Sequence, residues 1–385
     1  MAQTTIQERI TINETQDLHE IQETLSELLY VPDHRLKPLI IEQYLIYLNS
    51  IFSLLTYPLK IFIAYSGEEV CGFVSSQIHP TYTSYSRKCG TFGWLLGENF
   101  VVCRRLLNKC EKFLKEQKVR KIRGNINFPK HLGGIGFQTM GFDEPMMCGI
   151  AFDNPQSRIQ DFLKSLGYLA EAEYTCVHVT DSSWKQGHKR LDNDIKIRYL
   201  TIDEIVERKA EILDIARNSF RVLLPDSSGG DTGFNEIIEI YSQIPKSFYN
   251  LSNGIMPYSY SERPEYRDAW DNCDLGKIVP FTPCAIDKTT DKIVGIILAI
   301  PNLYQIWLGE PITHANVDTA MVHKEYARKG IFSNLNNIGQ ITIGFYGVNY
   351  MEGTTIWSNN EKAIAAIFPH SIPIRKHIVY QKRLK

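Results

Sequence analysis

The 385-residue sequence has no apolar run long enough to cross a membrane. Its longest, Ile293–Ile300, spans eight residues and stops at Pro301, against the ~20 that a spanning helix needs. Cysteine occurs eight times but never as a Cys-x-x-Cys pair. Paired zinc-ligand spacing is therefore missing, no metal is expected, and the scattered thiols read as reduced and buried. An excess of either charge is also missing. The 42 Lys plus Arg balance 43 Asp plus Glu, for a formal net charge of −1. That excludes the broad basic footprint of a nonspecific nucleic-acid binder, so no DNA partner is expected. The polar start, Met1–Gln16, lacks the charged-then-apolar layout of a secretory leader. A cytoplasmic protein with no membrane partner is the expectation. What is present is an ordinary globular composition, 43% hydrophobic and 22% charged, too apolar for a disordered chain. At about 150 residues per domain, the length suits two or three domains.

Periodicity orders the chain into two similar halves. The first predicts a short strand over 5–11, a helix from Thr15, a loop over Tyr30–Pro38 and a hairpin of Lys60–Tyr65 with Val70–Gln77. A strand Thr91–Leu96, a helix over 99–117, a strand Lys121–Asn127, a helix Ile159–Leu166 and a strand Tyr174–Val179 follow. Residues 181–194 are polar and read as a linker, so the expected domains are 1–180 and 195–385. The second half predicts a strand Asp194–Leu200, a helix Asp203–Phe220 and a hairpin of Phe281–Ala285 with Ile293–Ile300. Then come a strand Ala315–Val322, a helix over 330–347, a strand Gly353–Trp357, a helix Asn360–Phe368 and a strand Ile378–Lys382. An insertion over 242–279, rich in Tyr, Pro and Asn, reads as loop-dominated, serving as a lid over an acceptor site or as packing at a domain interface. His131–Gly136 reads as a flexible substrate-side loop.

The most informative segment is Asn316–Leu335. A strand ending at Met321–Val322 runs through a tight loop into a helix opened by Gly330, with Arg328 and Lys329 just before it. Free amides and the positive dipole end at a helix start favour a phosphate, and glycine lets a ligand approach the backbone. The physical reading is a pyrophosphate cradle.

This segment resembles motif A of the GNAT superfamily of acyl-CoA-dependent N-acyltransferases, Arg/Gln-x-x-Gly-x-Gly/Ala, often preceded by Val-x-Pro-Glu-Tyr. Glu325-Tyr326 and Lys329-Gly330-Ile331 match, while Lys324, Ala327 and Phe332 depart from the pattern. Asn360-Glu361-Lys362-Ala363 resembles the Asn-x-x-Ala of motif B. Glu27–Asp33, Arg123–Phe128, Gly141–Met147 and Ser165–Tyr168 in the first half resemble a tandem-GNAT group of undefined activity. The resemblance implies two mixed α/β domains, each a mainly antiparallel sheet with two central parallel strands that splay apart. It implies acetyl-CoA or another acyl-CoA as donor, held by Met321, Val322, Arg328, Lys329, Gly330, Ile331, Phe332 and Asn360. The acceptor it implies is an amine of a small molecule or peptide. The corresponding turn of the first half, Gly97-Glu98-Asn99-Phe100, carries an acid and no base, so one CoA site is expected, in the second half.

Amine attack on a thioester needs a proton acceptor, an oxyanion donor and a proton for the thiolate. Residues 316, 318, 320 and 322 share a strand face, and Asp318 is its only acid; the resemblance implies a catalytic carboxylate on that face, nearest Asn316. The family's thiolate-protonating Tyr would fall near Ile367 or Phe368, which cannot donate. Tyr380 is the expected substitute, with Tyr346 and Tyr350 as others. Two further readings stand: a Fem-type aminoacyl-tRNA-dependent transferase, for whose tRNA surface a net charge of −1 offers little support, and a noncatalytic binding protein.

Overall fold

A computed structural model describes residues 10–179, 190–219, 224–250, 263–360 and 371–384. The chain divides into two compact units. The first comprises Met1–Tyr174, Pro225–Ser227 and Arg375–Lys385; the second comprises Thr175–Leu224 and Ser228–Ile374.

In the first unit, β1 (Ile10–Thr15), α1 (Leu18–Leu28) and α2 (Lys37–Leu54) precede the hairpin β2 (Leu59–Ser66) and β3 (Glu69–Gln77). A two-strand ribbon, β4 (Thr83–Ser84) and β5 (Arg87–Lys88), leads to β6 (Gly90–Gly97), α3 (Phe100–Glu116) and β7 (Lys121–Gly124). Then come α4 (Lys130–Gly133), β8 (Phe137–Met140), α5 (Ile159–Ser165) and β9 (Leu169–His178), whose last four residues belong to the second unit. The sheet runs β1-β2-β3-β6-β7. Only β6 and β7 are parallel among these, through Gly90↔Ile122 and Thr91↔Arg123. The stripe Val102, Leu106, Cys110 and Leu114 of α3 is buried against the sheet.

α2 was not expected. Pro38 opens it, where proline's fixed φ and missing N–H are tolerated. Apolar residues on most of its sides blur the 3.6 period that reveals a surface helix. The chain also ends differently from the expectation. The last strand, β15 (Ile372–Arg383), contributes Tyr380–Arg383 to the first unit, antiparallel to Lys121–Gly124. Alternation tells which side chains of such a strand are buried but not which sheet receives it.

Pro225–Ser227 is likewise part of the first unit. Its Asp226 carboxylate is fully buried and accepts from Arg123 Nε at 2.8 Å and Nη2 at 2.7 Å, from Tyr174 Oη at 2.6 Å and from Tyr82 Oη.

The second unit repeats the order. β10 (Ile195–Thr201) leads into α6 (Ile202–Glu207), started by a capping box of Thr201 and Glu204. α7 (Lys209–Ser219) and α8 (Asp231–Ser242) follow. After the insertion helix α9 (Pro264–Asp271) come β11 (Ile278–Asp287), β12 (Ile293–Pro301), α10 (Leu303–Trp307), β13 (His314–Val322), α11 (Ile331–Phe345) and β14 (Tyr350–Trp357). The sheet order is β14-β13-β12-β11-β10. As expected, β13 and β14 are parallel neighbours, here through His314↔Tyr350 to Val317↔Gly353. The described part of the insertion is not loop-dominated. α9 buries Tyr266 and Trp270, which bond Asn334 Oδ1 at 2.8 Å and Thr342 Oγ1 at 2.9 Å on α11. The expected linker lies mostly outside the described residues, as does most of the helix predicted from Asn360.

Candidate functional site

The site is built where β13 and β14 part. Their ladder ends at Val317↔Gly353, although β13 continues to Val322 and β14 to Trp357. Two irregularities mark the parting. On β13 the register with β12 jumps between Leu298↔Thr319 and Ala299↔Val317, so Asp318 is the extra residue of a β-bulge, a device that re-aims a side chain. On β14, Thr355 has φ +52, an outlier for a β-branched residue. Its amide donates to Cys176 Sγ at 3.4 Å.

Asp318 is exposed, and its Oδ2 accepts from Thr319 Oγ1 at 2.8 Å. Val317 lies on the opposite face. With Phe281, Leu335, Gly339 and Met351 it lines a narrow apolar fissure between α11 and the sheet. By alternation, Asn316 faces away from α11, and its register partner is the buried Glu352. Tyr350 Oη donates to Glu352 Oε1 at 2.8 Å, and the Tyr350 ring centre lies 4.7 Å from that of His314. Gln305 fixes this histidine. Its Oε1 accepts from the amides of Thr313 and His314, which leaves its Nε2 to donate to His314 Nδ1 at 3.1 Å. Burial also holds the His314 pKa below its ordinary value.

From Val322 the chain turns through His323 into Arg328, Lys329 and Gly330. Arg328 has φ +70 and Gly330 φ +74. Gly330 is the N-cap of α11 and supplies no side-chain cap, so the first amides of a 15-residue helix remain available. Arg328 is exposed and makes no ion pair among the described residues, whereas Lys329 Nζ lies 3.5 Å from Asp192 Oδ2.

The structure therefore gathers Asp318, Val322, Arg328, Lys329 and Gly330 in one unit. Met321 and Ile331 are buried, and Ile331 packs close to Gly295 of β12, so their side chains serve the core. Phe332 is half-buried. Asn360 is half-buried after β14, its amide donating to Trp357 O at 2.8 Å. Tyr380 is not gathered with them. It lies in the core of the first unit, beside Phe137, and its hydroxyl donates to Gln160 Oε1 at 3.1 Å. Tyr346 is committed to Leu275 O at 2.6 Å. The positions 367 and 368 lie outside the described residues.

The corresponding crossover of the first unit is closed twice. Asn99 caps α3, its Oδ1 accepting from the amides of Val101 and Val102 at 3.0 and 3.1 Å. β6 also bulges, at Trp94 with φ +51, but residues after β7 fill the space beside it. Ile126 N donates to Phe92 O at 2.9 Å, and Trp94 N donates to Asn127 Oδ1 at 2.6 Å. Asn127 Nδ2 donates to Gly133 O at 2.9 Å. A Cβ on Gly93 would lie 2.1 Å from Ile126 O, so glycine is required there. The segment expected to be a flexible loop, 131–136, begins inside α4 and is mostly buried.

No protein-family model matches the sequence, and no curated protein sequence matches it. Solved structures do match. A tandem GNAT protein from the clavulanic acid biosynthesis pathway superposes with a TM-score of 0.52 at 9% identity, covering 98% of this chain and 99% of that one. A glucosamine N-acetyltransferase region of a fungal multi-domain beta-N-acetylglucosaminidase gives 0.54 at 13% identity, over 97% of this chain and 38% of that longer one. A probable N-acyltransferase from Enterococcus faecalis gives 0.51 at 9%, over 98% and 73%. The fold is thus that of the GNAT N-acyltransferases. The chain carries it twice, in tandem.

Proposed function

We propose that this protein transfers an acyl group from an acyl-CoA to an amine of a small molecule or peptide, using the second unit. The observation that carries the reading is the contrast between equivalent crossovers. In the second unit the helix start is uncapped and cationic beside two strands that part. In the first, the helix is capped by Asn99 and the bulge amide is taken by Asn127.

Bound acyl-CoA supplies an activated thioester. The residues that would hold it are Arg328 and the first amides of α11, facing its diphosphate, with the parted edge of β13 beyond Val317. Charge-assisted bonds of this kind are about twice as strong as neutral ones. Asp318, at the bulge, would take a proton from the acceptor's ammonium at Oδ1, the oxygen that Thr319 leaves open. Gln305 keeps His314 a neutral Nε2–H donor on the strand face that carries Asn316 and Glu352. No helix among the described residues is long and apolar enough to cross a membrane, and the reading needs none.

Calorimetry with CoA, acetyl-CoA and longer acyl-CoAs tests the donor half of the reading, and thiol release with a panel of primary amines tests the acceptor half. Micromolar binding by at least one donor and amine-dependent thiol release are expected. Binding by none of them would remove it.

A further inference from the structure

The two cations at the start of α11 are not equivalent. Arg328 is exposed and makes no ion pair among the described residues. Lys329 is held: its Nζ lies 3.5 Å from Asp192 Oδ2 and 5.2 Å from the centre of the Tyr326 ring. The Asp192 amide donates to Lys329 O at 3.2 Å, so backbone and side chain meet together. Tyr326 is itself tied to the next hairpin, its hydroxyl donating to Asp287 Oδ2 at 2.9 Å. Asp192 Oδ1 accepts from the Asp194 amide at 3.0 Å, and this bond together with Lys329 holds the carboxylate pKa below its ordinary value. A carboxylate of this chain therefore already occupies the charge partner that an incoming diphosphate would use.

We propose that Asp192 is an internal competitor at the cradle, which sets its affinity and its preference for multiply charged ligands. The inference rests on the acyl-CoA reading above. A monoanion that displaces Asp192 from Lys329 exchanges one negative charge for another and gains nothing there. A diphosphate engages Lys329 while also reaching Arg328 and the α11 amides, so its extra charge is what opens the pair. The pair is about one-third exposed on both sides, in the range where such ion pairs are weak and reversible.

Calorimetry of CoA and of inorganic pyrophosphate against the wild type, Asp192→Asn, Lys329→Met and the double variant tests this at low and high salt. Asp192→Asn is expected to bind both ligands about 3- to 10-fold more tightly at low salt, and the gain should shrink as salt rises. In the Lys329→Met background the same substitution should give no gain. Unchanged or weaker binding by Asp192→Asn would make Asp192 a mere pin for the loop and overturn the inference, as would an equal gain without Lys329. If neither the wild type nor Asp192→Asn binds CoA at any salt, the acyl-CoA reading falls and takes this inference with it. Unchanged affinity in a protein that does bind CoA removes the inference alone.

Discussion

Arg328 combines a strained backbone with a charge that makes no ion pair among the described residues. At φ +70 an L-residue other than glycine, or occasionally Asn or Asp, costs about 1–2 kcal/mol, and such strain persists where a site uses it. Arg328→Gly should therefore raise stability by about 1 kcal/mol in urea denaturation while weakening CoA at least about tenfold by calorimetry. Loss of both, or of neither, would detach the strain from the site. A second residue-scale expectation concerns pH. His377 is buried, with its Nε2 donating to Ala151 O at 2.9 Å, and burial pushes its pKa down to about 4. The unfolded chain, with an ordinary histidine near 6.5, binds the proton more tightly. Stability from this group is thus complete above about pH 6.5 and is lost as pH falls towards about 4, by about 3 kcal/mol in all. The stability difference between wild type and His377→Gln should shrink over that window; a difference independent of pH would refute it. At this scale the sequence was legible where residue type and local structure coincide, as at Gly330, which opens α11. It was silent on Asp192 and Asn127, whose roles come from contacts 137 and 33 residues away in the chain.

Helix starts separate the two halves at the scale of elements. α3 begins at Asn99, which satisfies two amides, and α11 begins at Gly330, which satisfies none with a side chain. This contrast can be read from the sequence alone, because asparagine is a strong N-cap and glycine leaves the amides open. Asn99→Ala should cost about 1 kcal/mol of stability and leave CoA affinity unchanged. What the sequence could not give is the closing of the first crossover by residues 126–128, since filling a splay is a tertiary event. The same holds for Asp226, which lies far along the chain from the strand that buries it. Removing one member of a buried, hydrogen-bonded ion pair leaves the other charge stranded. Asp226→Ala should therefore destabilise the protein by about 3–5 kcal/mol, read as a lowered urea midpoint. A change below about 1 kcal/mol would mean that Arg123 is satisfied by Glu171 and Gln381 alone, to which its Nη1 also donates.

For the whole molecule, the order of elements was legible because each half repeats hairpin, strand, helix and strand, with periods of 2 and 3.6 that local sequence enforces. The end of the chain was not, since the final strand carries no mark of the unit it joins. On the proposed function, the open crossover of the second unit makes a single anion-binding donor site there. The most direct test is calorimetric titration of the full chain with CoA, alongside Arg328→Glu and Glu98→Ala. One CoA per chain is expected, with binding lost in Arg328→Glu and unchanged in Glu98→Ala. Two CoA molecules per chain, or full affinity in Arg328→Glu, would contradict it.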